Sequence, residues 1–92
     1  MIVRILGEGQ YELPDARLEL LNEHDAAVTK ALHAEDENAF RAALTAMLAD
    51  VRSSGARLPD EELLPSDLVL PGDTATIDEV ALMLGDDGLV PG

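Results

Sequence analysis

The prolines of this chain limit where long helices can form. Proline lacks an amide hydrogen and its ring clashes with the preceding turn, so it ends helices and is excluded from central strands. No proline lies between Pro14 and Pro59, but beyond them Leu-Pro pairs recur at six-residue intervals, at residues 58–59, 64–65 and 70–71. No long helix can therefore run across residues 58–71, and the longest stretch without proline lies between Pro14 and Pro59.

Two amphipathic helices are predicted in that proline-free stretch. Asp15 is the expected N-cap of a first helix that runs to about Ala34. Asp36 opens a second helix, which Ser53-Ser54-Gly55 ends. Apolar residues at helical spacing mark one face of each: Leu18, Leu21, Val28, Ala31 and Leu32 in the first, and Phe40, Leu44, Met47, Leu48 and Val51 in the second. The short link between the helices predicts an antiparallel hairpin.

Asp25 interrupts the apolar stripe of the first helix, between Leu21 and Val28. A carboxylate at this position must reach solvent or meet a donor, and Arg41 and Lys30 are available donors. Two interpretations stay open. Asp25 is either an acid at the edge of the stripe or one member of a buried or interfacial pair that sets the helix register.

A β-hairpin is predicted at the start of the chain. Residues 1–6 are rich in β-branched side chains, Gly7-Glu8-Gly9 breaks the run, and residues 10–13 resume it before Pro14 ends the second strand. Glycine suits such a turn because it adopts positive φ without strain. Alternation places Val3 and Ile5 on the face opposite Ile2, Arg4 and Leu6.

The last third of the chain holds shorter elements. Leu68-Val69-Leu70 is the only plausible strand there, and Thr76 with Glu79 forms a capping box that starts a short helix closed by Gly85. The apolar ending Gly88-Leu89-Val90-Pro91-Gly92 is expected to pack against something. Together these elements predict an α+β fold in a single domain over residues 1–92, with the proline-rich segment, short strand and short helix packed on the two hairpins.

Charge is distributed unevenly along the chain. All six lysines and arginines lie at or before Arg57, while residues 58–92 hold nine acids and therefore −9 of the net charge of −13. We call residues 58–92 the base-free segment. Its field repels nucleic acid and anionic lipid head groups and favours a basic protein surface. Solubility alone is the alternative explanation.

The composition and the motifs of the chain exclude most kinds of catalytic, cofactor-binding and membrane-spanning structure. The chain has no cysteine, so it forms no disulfide and offers no thiolate ligand or thiol nucleophile. No apolar run approaches the ~20 residues that span a bilayer, so we expect a cytoplasmic protein that does not bind membranes directly. Gly7-Glu8-Gly9 resembles the start of a dinucleotide fingerprint, but Glu12 stands where the third glycine belongs. A tight turn is the simpler explanation.

Metal and catalytic sites are not expected either. His24 and His33 are nine residues apart, which fits neither a zinc pair on one helical face nor a catalytic pair. No loop carries the alternating oxygen ligands of a calcium site. We predict no catalytic residue, no cofactor and no metal; a small metal-dependent enzyme that uses His24 with Glu23 or Asp25 is the least favoured alternative.

Three segments carry a resemblance to a known family. They are residues 4–11 (Arg-Ile-Leu-Gly-Glu-Gly-Gln-Tyr), residues 64–71 (Leu-Pro-Ser-Asp-Leu-Val-Leu-Pro) and residues 88–92 (Gly-Leu-Val-Pro-Gly). In this order, and with the Ala-rich helix that begins at Asp36 between them, they resemble the PspA-associated protein family over essentially the whole chain. The resemblance implies a companion of PspA, a coiled-coil membrane-stress protein of the phage-shock response related to the ESCRT-III-like remodellers. It brings no catalytic residues.

With that resemblance, the expected function is a non-enzymatic adaptor or regulator that binds PspA and adjusts its oligomerisation or membrane engagement. The expected location is then the cytoplasm, with recruitment to the inner face of the membrane through PspA. A structural homo-oligomer is the alternative. The predicted contact patch joins the first turn to the end of the chain: Gly7, Glu8, Gly9, Gln10 and Tyr11, with Leu89, Val90 and Pro91. Tyr11 is either a contact hot spot or a core side chain beside the hairpin.

Overall fold

Four short strands and three helices make up the part of the protein that the computed structural model describes, residues 1–62 and 64–83. In chain order they are β1 (Ile2–Ile5), β2 (Gly9–Glu12), α1 (Leu18–His33), α2 (Glu37–Ser54), β3 (Ala56–Arg57), β4 (Leu68–Leu70) and α3 (Ile77–Met83). The predicted α+β class is confirmed. The predicted β-hairpin, helix pair, last strand and last helix are all present.

The two long helices form the predicted hairpin. The Asp36 carboxylate accepts a hydrogen bond from the Ala39 amide at 3.0 Å, which confirms it as the N-cap of α2. The three-residue link from Ala34 to Asp36 turns through Glu35, whose φ of 54° is left-handed, and the Asp36 amide bonds back to the Ala31 carbonyl at 3.0 Å. This closure lets α2 fold back against α1.

The start of the first helix differs from the prediction. Asp15–Arg17 form a single 3-10 turn, Pro14 holds the cap position in extended conformation without a side-chain bond, and α1 begins only at Leu18. The Asp15 carboxylate lies 3.1 Å from the amino group of Met1 instead. The prediction that Asp15 caps a helix is therefore wrong, because a charged group brought close by the first strand engages its carboxylate.

A mixed four-stranded sheet lies beside the helices, in the order β3-β2-β1-β4. β1 and β2 are antiparallel, with Val3 opposite Tyr11, and β4 runs parallel to β1, with Val3 opposite Leu68. Side chains of these three residues belong to the buried core, so they define the inner face of the sheet. Arg4, Gln10 and Val69 form a row on the opposite, outer face. The predicted alternation along β1 is confirmed.

The core is aliphatic apart from Phe40 and Tyr11. It joins the inner sheet face to one face of each helix through Leu21, Val28 and Ala31 of α1 and through Phe40, Leu44, Met47, Leu48 and Val51 of α2. Asp25 is buried with them, only 5 % exposed. Of the two interpretations of Asp25, the exposed position at the edge of the stripe is therefore wrong.

The connection between β3 and β4 crosses the sheet, because these two strands lie at opposite edges. Its bonds to the side chain of Gln10 place it on the outer face. We call residues 58–67 the crossing loop. None of its described residues is buried. The side chain of Gln10 anchors the crossing loop to the sheet. Its amide donates to the Leu64 carbonyl at 2.6 Å and to the Ser66 hydroxyl at 2.8 Å. Gln10 itself is thereby only 5 % exposed.

The last helix begins with the predicted capping box. The Glu79 amide donates to the Thr76 hydroxyl at 3.2 Å, and the Thr76 amide donates to the Glu79 carboxylate at 3.3 Å. Val80 is fully buried, and Ile77 and Met83 pack against the core. The predicted helix end at Gly85, together with Leu84 and residues 88–92, lies outside the described residues.

Candidate partner-binding surface

The turn between β1 and β2 has the backbone conformation that its glycines predict. Gly7 has a φ of 80° and Gly9 a φ of 148°, and the Glu8 amide bonds to the Ile5 carbonyl at 3.0 Å. At Gly9 a side chain would also lie close to a neighbour, since a Cβ there would come 3.2 Å from an Arg57 guanidinium nitrogen. Glycine at both positions lets the turn present Glu8 towards the helices.

The Glu8 carboxylate is held from two sides. The Arg52 Nε donates to Glu8 Oε2 at 2.9 Å and its Nη2 donates to Oε1 at 2.5 Å, which is the two-pronged geometry that arginine favours with carboxylates. The Tyr11 hydroxyl donates to Glu8 Oε2 at 2.6 Å. Because Arg52 lies in the last turn of α2, this contact fastens the β-hairpin turn to the end of the helix hairpin.

Ionisation at this cluster is fixed at neutral pH. Hydrogen bonds from Arg52 and then from Tyr11 lower the pKa of Glu8 from 4.5 to about 2, because both stabilise the charged carboxylate. The same carboxylate raises the pKa of Tyr11 and, together with Asp73, raises the pKa of Arg52. Glu8 is therefore a carboxylate and Arg52 a cation over the whole physiological range.

The cluster continues into the base-free segment. Arg52 Nη2 also donates to the Asp73 carboxylate at 2.9 Å. Arg57 donates to the Glu8 carbonyl at 2.8 Å, lies over the Tyr11 ring at 6.0 Å and approaches Asp60 at 3.7 Å. Two arginines thus join the first turn to the start of the base-free segment at Asp60 and to its middle at Asp73.

Beside this cluster, a groove of about 300 Å³ lies between the outer sheet face and the start of the crossing loop. Its lining residues are Arg4, Gly7, Glu8, Gly9, Gln10, Leu58, Pro59, Asp60 and Glu62. The loop wall is fixed by the bond from the Leu58 amide to the Gln10 carbonyl at 2.9 Å. The charged residues of the groove are therefore Arg4 and Glu8 on the sheet side, with the Glu8 carboxylate already bonded to Arg52, and Asp60 and Glu62 on the loop side.

The acids of the base-free segment that the structure describes lie at the protein surface. All seven that the structure describes are exposed: Asp60, Glu61, Glu62, Asp67, Asp73, Asp78 and Glu79. Since no lysine or arginine follows Arg57, basic groups reach this region only from earlier parts of the chain. Arg41 of α2 is one of them, and it donates to the backbone carbonyls of Asp73 and Ala75 at 2.5 and 2.7 Å.

The structure brings together only part of the predicted contact patch. Gly7, Glu8 and Gly9 lie on the turn, whereas the Tyr11 ring is buried, 7 % exposed, with its hydroxyl on Glu8. This burial fits the core interpretation of Tyr11. Leu89, Val90 and Pro91 lie outside the described residues.

Sequence reasoning did not find the cationic residues of this surface. Arg52 contacts Glu8 across 44 positions of sequence, so no local motif links them. Arg4 and Arg57 were equally missed. The only sequence feature that could have indicated them is the small number of basic residues. With six basic residues and 19 acids, each arginine is a candidate for a specific ion pair.

Neither the histidines nor the helices add a metal site or a membrane span within the described residues. His24 is partly buried and His33 exposed on α1. Within residues 1–62 and 64–83, no group of three or more histidine and acidic side chains is arranged to hold a metal ion. Over the same residues, none of the helices has the length and apolar character required to cross a bilayer.

Comparison with known proteins gives one match. A family model described as PspA-associated protein matches residues 1–92, which is the whole chain. No curated protein and no solved structure matches the chain. The family assignment inferred from the three sequence segments is thus confirmed.

Proposed function

The chain belongs to the PspA-associated protein family, and on that premise we propose that it is a non-enzymatic adaptor that binds PspA and adjusts PspA assembly or its engagement with membranes. The observation that carries the proposal is the family match over the full length of the chain. We expect it to act in the cytoplasm and to reach the inner face of the membrane through PspA.

Electrostatic attraction is the proposed basis of encounter. Seven described acids of the base-free segment are exposed, and the chain carries a net charge of −13. Such a surface raises the association rate with a basic partner surface and repels phosphate and anionic lipid. This supports a basic region of PspA as the binding surface.

The β-hairpin turn is the proposed contact patch. Arg52 and Tyr11 fix the Glu8 carboxylate, and Arg57 fixes the Glu8 carbonyl, so little conformational entropy is lost when a partner contacts the turn. Tyr11 contributes by holding Glu8 in place rather than by presenting its buried ring. Leu89, Val90 and Pro91 stay part of the proposed patch on sequence grounds.

Titration of PspA with the purified chain at several salt concentrations tests the proposal. We expect saturable binding whose dissociation constant rises with ionic strength, because exposed charges are screened beyond about 10 Å at 0.1 M salt. Affinity that does not change with salt would exclude the electrostatic mode. Absence of binding at every salt concentration would overturn the proposed function.

A matched pair of asparagine variants tests the contact patch. Gly7→Asn adds a side chain in open space at a left-handed position, which asparagine tolerates. Ala34→Asn places the same residue, with the same net charge, at an exposed position in the helix link. We expect Gly7→Asn to weaken PspA binding by about tenfold, or 1.4 kcal/mol, and Ala34→Asn to weaken it less. Equal affinities of the two variants would remove the turn from the interface.

Effects on PspA itself distinguish an adaptor from a passive ligand. Light scattering of PspA with and without the chain measures assembly size, and flotation of PspA with anionic vesicles measures membrane engagement. We expect at least one of these to change in proportion to the bound fraction. Light scattering of the chain alone tests the homo-oligomer alternative.

A further inference from the structure

We infer that the groove between the outer sheet face and residues 58–62 binds a segment of PspA that carries both signs of charge, with a carboxylate at Arg4 and a lysine or arginine at Glu62. This inference rests on the proposed function, since it names the kind of partner surface that the adaptor recognises. The argument depends on the state of Arg4, the rigidity of the groove and the arrangement of charge around it.

Arg4 differs from the other arginines. Each of the other four bonds to an acid or a backbone carbonyl elsewhere in the fold: Arg17 to Asp50, Arg41 to Asp73 and Ala75, Arg52 to Glu8 and Asp73, and Arg57 to Glu8 and Asp60. The Arg4 guanidinium makes no ion pair and no hydrogen bond with any residue of ranges 1–62 and 64–83.

This lack of a partner is unusual in such an acidic chain. Acids outnumber lysines and arginines by 19 to 6, yet Arg4, partly buried on the outer face of β1, has no partner among residues 1–62 and 64–83. Partial burial of an unpaired cation costs free energy that an incoming carboxylate recovers. The guanidinium also presents a planar fork of donors that suits a carboxylate.

The groove around Arg4 is preorganised. On the sheet side, the Gln10 side chain is fully engaged with Leu64 and Ser66 and cannot turn to Arg4. On the loop side, the Leu58 amide is bonded to the Gln10 carbonyl. At the open end, the turn is clamped through Glu8 by Arg52 and Arg57. The groove, a partly open space of about 300 Å³, is therefore bordered by walls that need little reordering on binding.

Charge complementarity selects the occupant. A purely basic segment would meet Arg4 as a like charge, and a purely acidic one would meet Asp60, Glu62 and the field of −13. Glu62 is exposed and makes no ion pair within the described residues, whereas Asp60 is already near Arg57 at 3.7 Å. A segment with neighbouring acidic and basic side chains, such as one face of a charged helix, satisfies Arg4 and Glu62 together.

Two charge reversals of equal size separate this inference from general attraction. Arg4→Glu and Lys30→Glu each lower the net charge by two, and Lys30 is exposed on α1, away from the groove. If only the overall negative field matters, both variants bind PspA as tightly as the wild type or more tightly. If Arg4 receives a carboxylate, Arg4→Glu weakens binding by about tenfold or more while Lys30→Glu does not.

A second pair tests the acidic side of the groove. Glu62→Gln and Glu19→Gln remove the same charge, from the groove and from an exposed position on α1 respectively. We expect severalfold weaker binding for Glu62→Gln and an affinity within twofold of wild type for Glu19→Gln. All variants are compared by thermal melting first, and Arg4→Gln replaces Arg4→Glu if the reversal prevents folding, with weaker binding again expected.

The outcomes are distinguishable. A folded Arg4 variant that binds PspA as tightly as the wild type overturns the inference and leaves the proposed function standing. A wild-type chain that does not bind PspA overturns both. Weakening by Arg4→Glu and by Lys30→Glu to the same extent also overturns the inference, because the effect is then not specific to the groove.

Discussion

The helix hairpin and the crossing loop are held in place by different forces. α1 and α2 bury a continuous set of aliphatic side chains, several of them fully. The crossing loop has no buried residue among those described and is held by Gln10, by the Leu58 amide and by an exposed ion pair from Arg57. Burial of apolar area contributes far more free energy than exposed polar contacts do. Residues of the loop are therefore free to serve recognition, because changes there leave the core intact.

The largest expected effect lies in the helix hairpin. Leu48→Ala removes a fully buried side chain and should lower the free energy of unfolding by about 3 kcal/mol, through lost transfer free energy and the cavity left behind. Urea denaturation followed by circular dichroism measures it. Leu82→Ala, at a side chain 89 % exposed on α3, is the control and should change stability by less than about 0.5 kcal/mol. A small effect of Leu48→Ala would remove the contrast between the two regions.

The second-largest loss of stability is expected from the ion pair at the β-hairpin turn. Glu8→Gln removes the charge that Arg52 and Tyr11 stabilise, at an expected cost of about 2 kcal/mol near neutral pH. Glu12→Gln, at an exposed acid on β2, is the control and should be nearly neutral.

The same pair predicts a pH dependence. Because the pKa of Glu8 is lowered from 4.5 to about 2 in the folded protein, the unfolded chain binds a proton first as pH falls, and stability is lost from about pH 4.5 down to about pH 2. The difference in stability between wild type and Glu8→Gln should therefore be constant above pH 5.5 and shrink below pH 4.5. If the stability difference between wild type and Glu8→Gln does not change with pH, the ionisation of Glu8 is not the cause of that difference.

A smaller effect is expected where the crossing loop is attached. Gln10→Ala removes the side-chain bonds to Leu64 and Ser66 and should cost about 1 kcal/mol of global stability. Local opening should increase more, and hydrogen exchange at the amides of the loop reports it. Glu12→Ala, on the same strand and exposed, is the control. If loop exchange is unchanged by Gln10→Ala, contacts other than this side chain hold the loop.

The smallest effect belongs to the cap of α3. Thr76→Ala deletes the hydroxyl that accepts from the Glu79 amide and should cost about 0.5–1 kcal/mol. Exchange should rise in α3 and not in α1. Thr74→Ala, at an exposed neighbouring position, should leave α3 unchanged. If hydrogen exchange rises over the whole fold and not only in α3, α3 is more strongly coupled to the core than its single fully buried residue indicates.

Local features of the fold were predictable because the residues that decide them are close in sequence. Proline positions limited the long helices, Asp36 capped α2, and Thr76 with Glu79 capped α3. The glycines of the first turn have the positive φ that their positions predict. The start of α1 was predicted wrongly because the amino group of Met1, distant in sequence, engages Asp15.

The candidate site was predictable only in part. Gly7, Glu8 and Gly9 were identified from the turn, but Arg52 and Arg57, which hold Glu8, were not. The burial of Gln10 was missed as well, because it depends on Leu64 and Ser66, 54 and 56 positions away.

By itself, the sequence determined the fold class, the elements other than β3 and their order, the aliphatic core and the concentration of negative charge after Arg57. These follow from spacing and from local backbone preferences. Only the tertiary structure decided the parallel pairing of β4 with β1, the path of the crossing loop over the outer sheet face, the burial of Asp25 and the lack of a partner for Arg4 among the described residues. The physical reason is that each depends on which distant groups come into contact, and spacing along the chain does not encode those contacts.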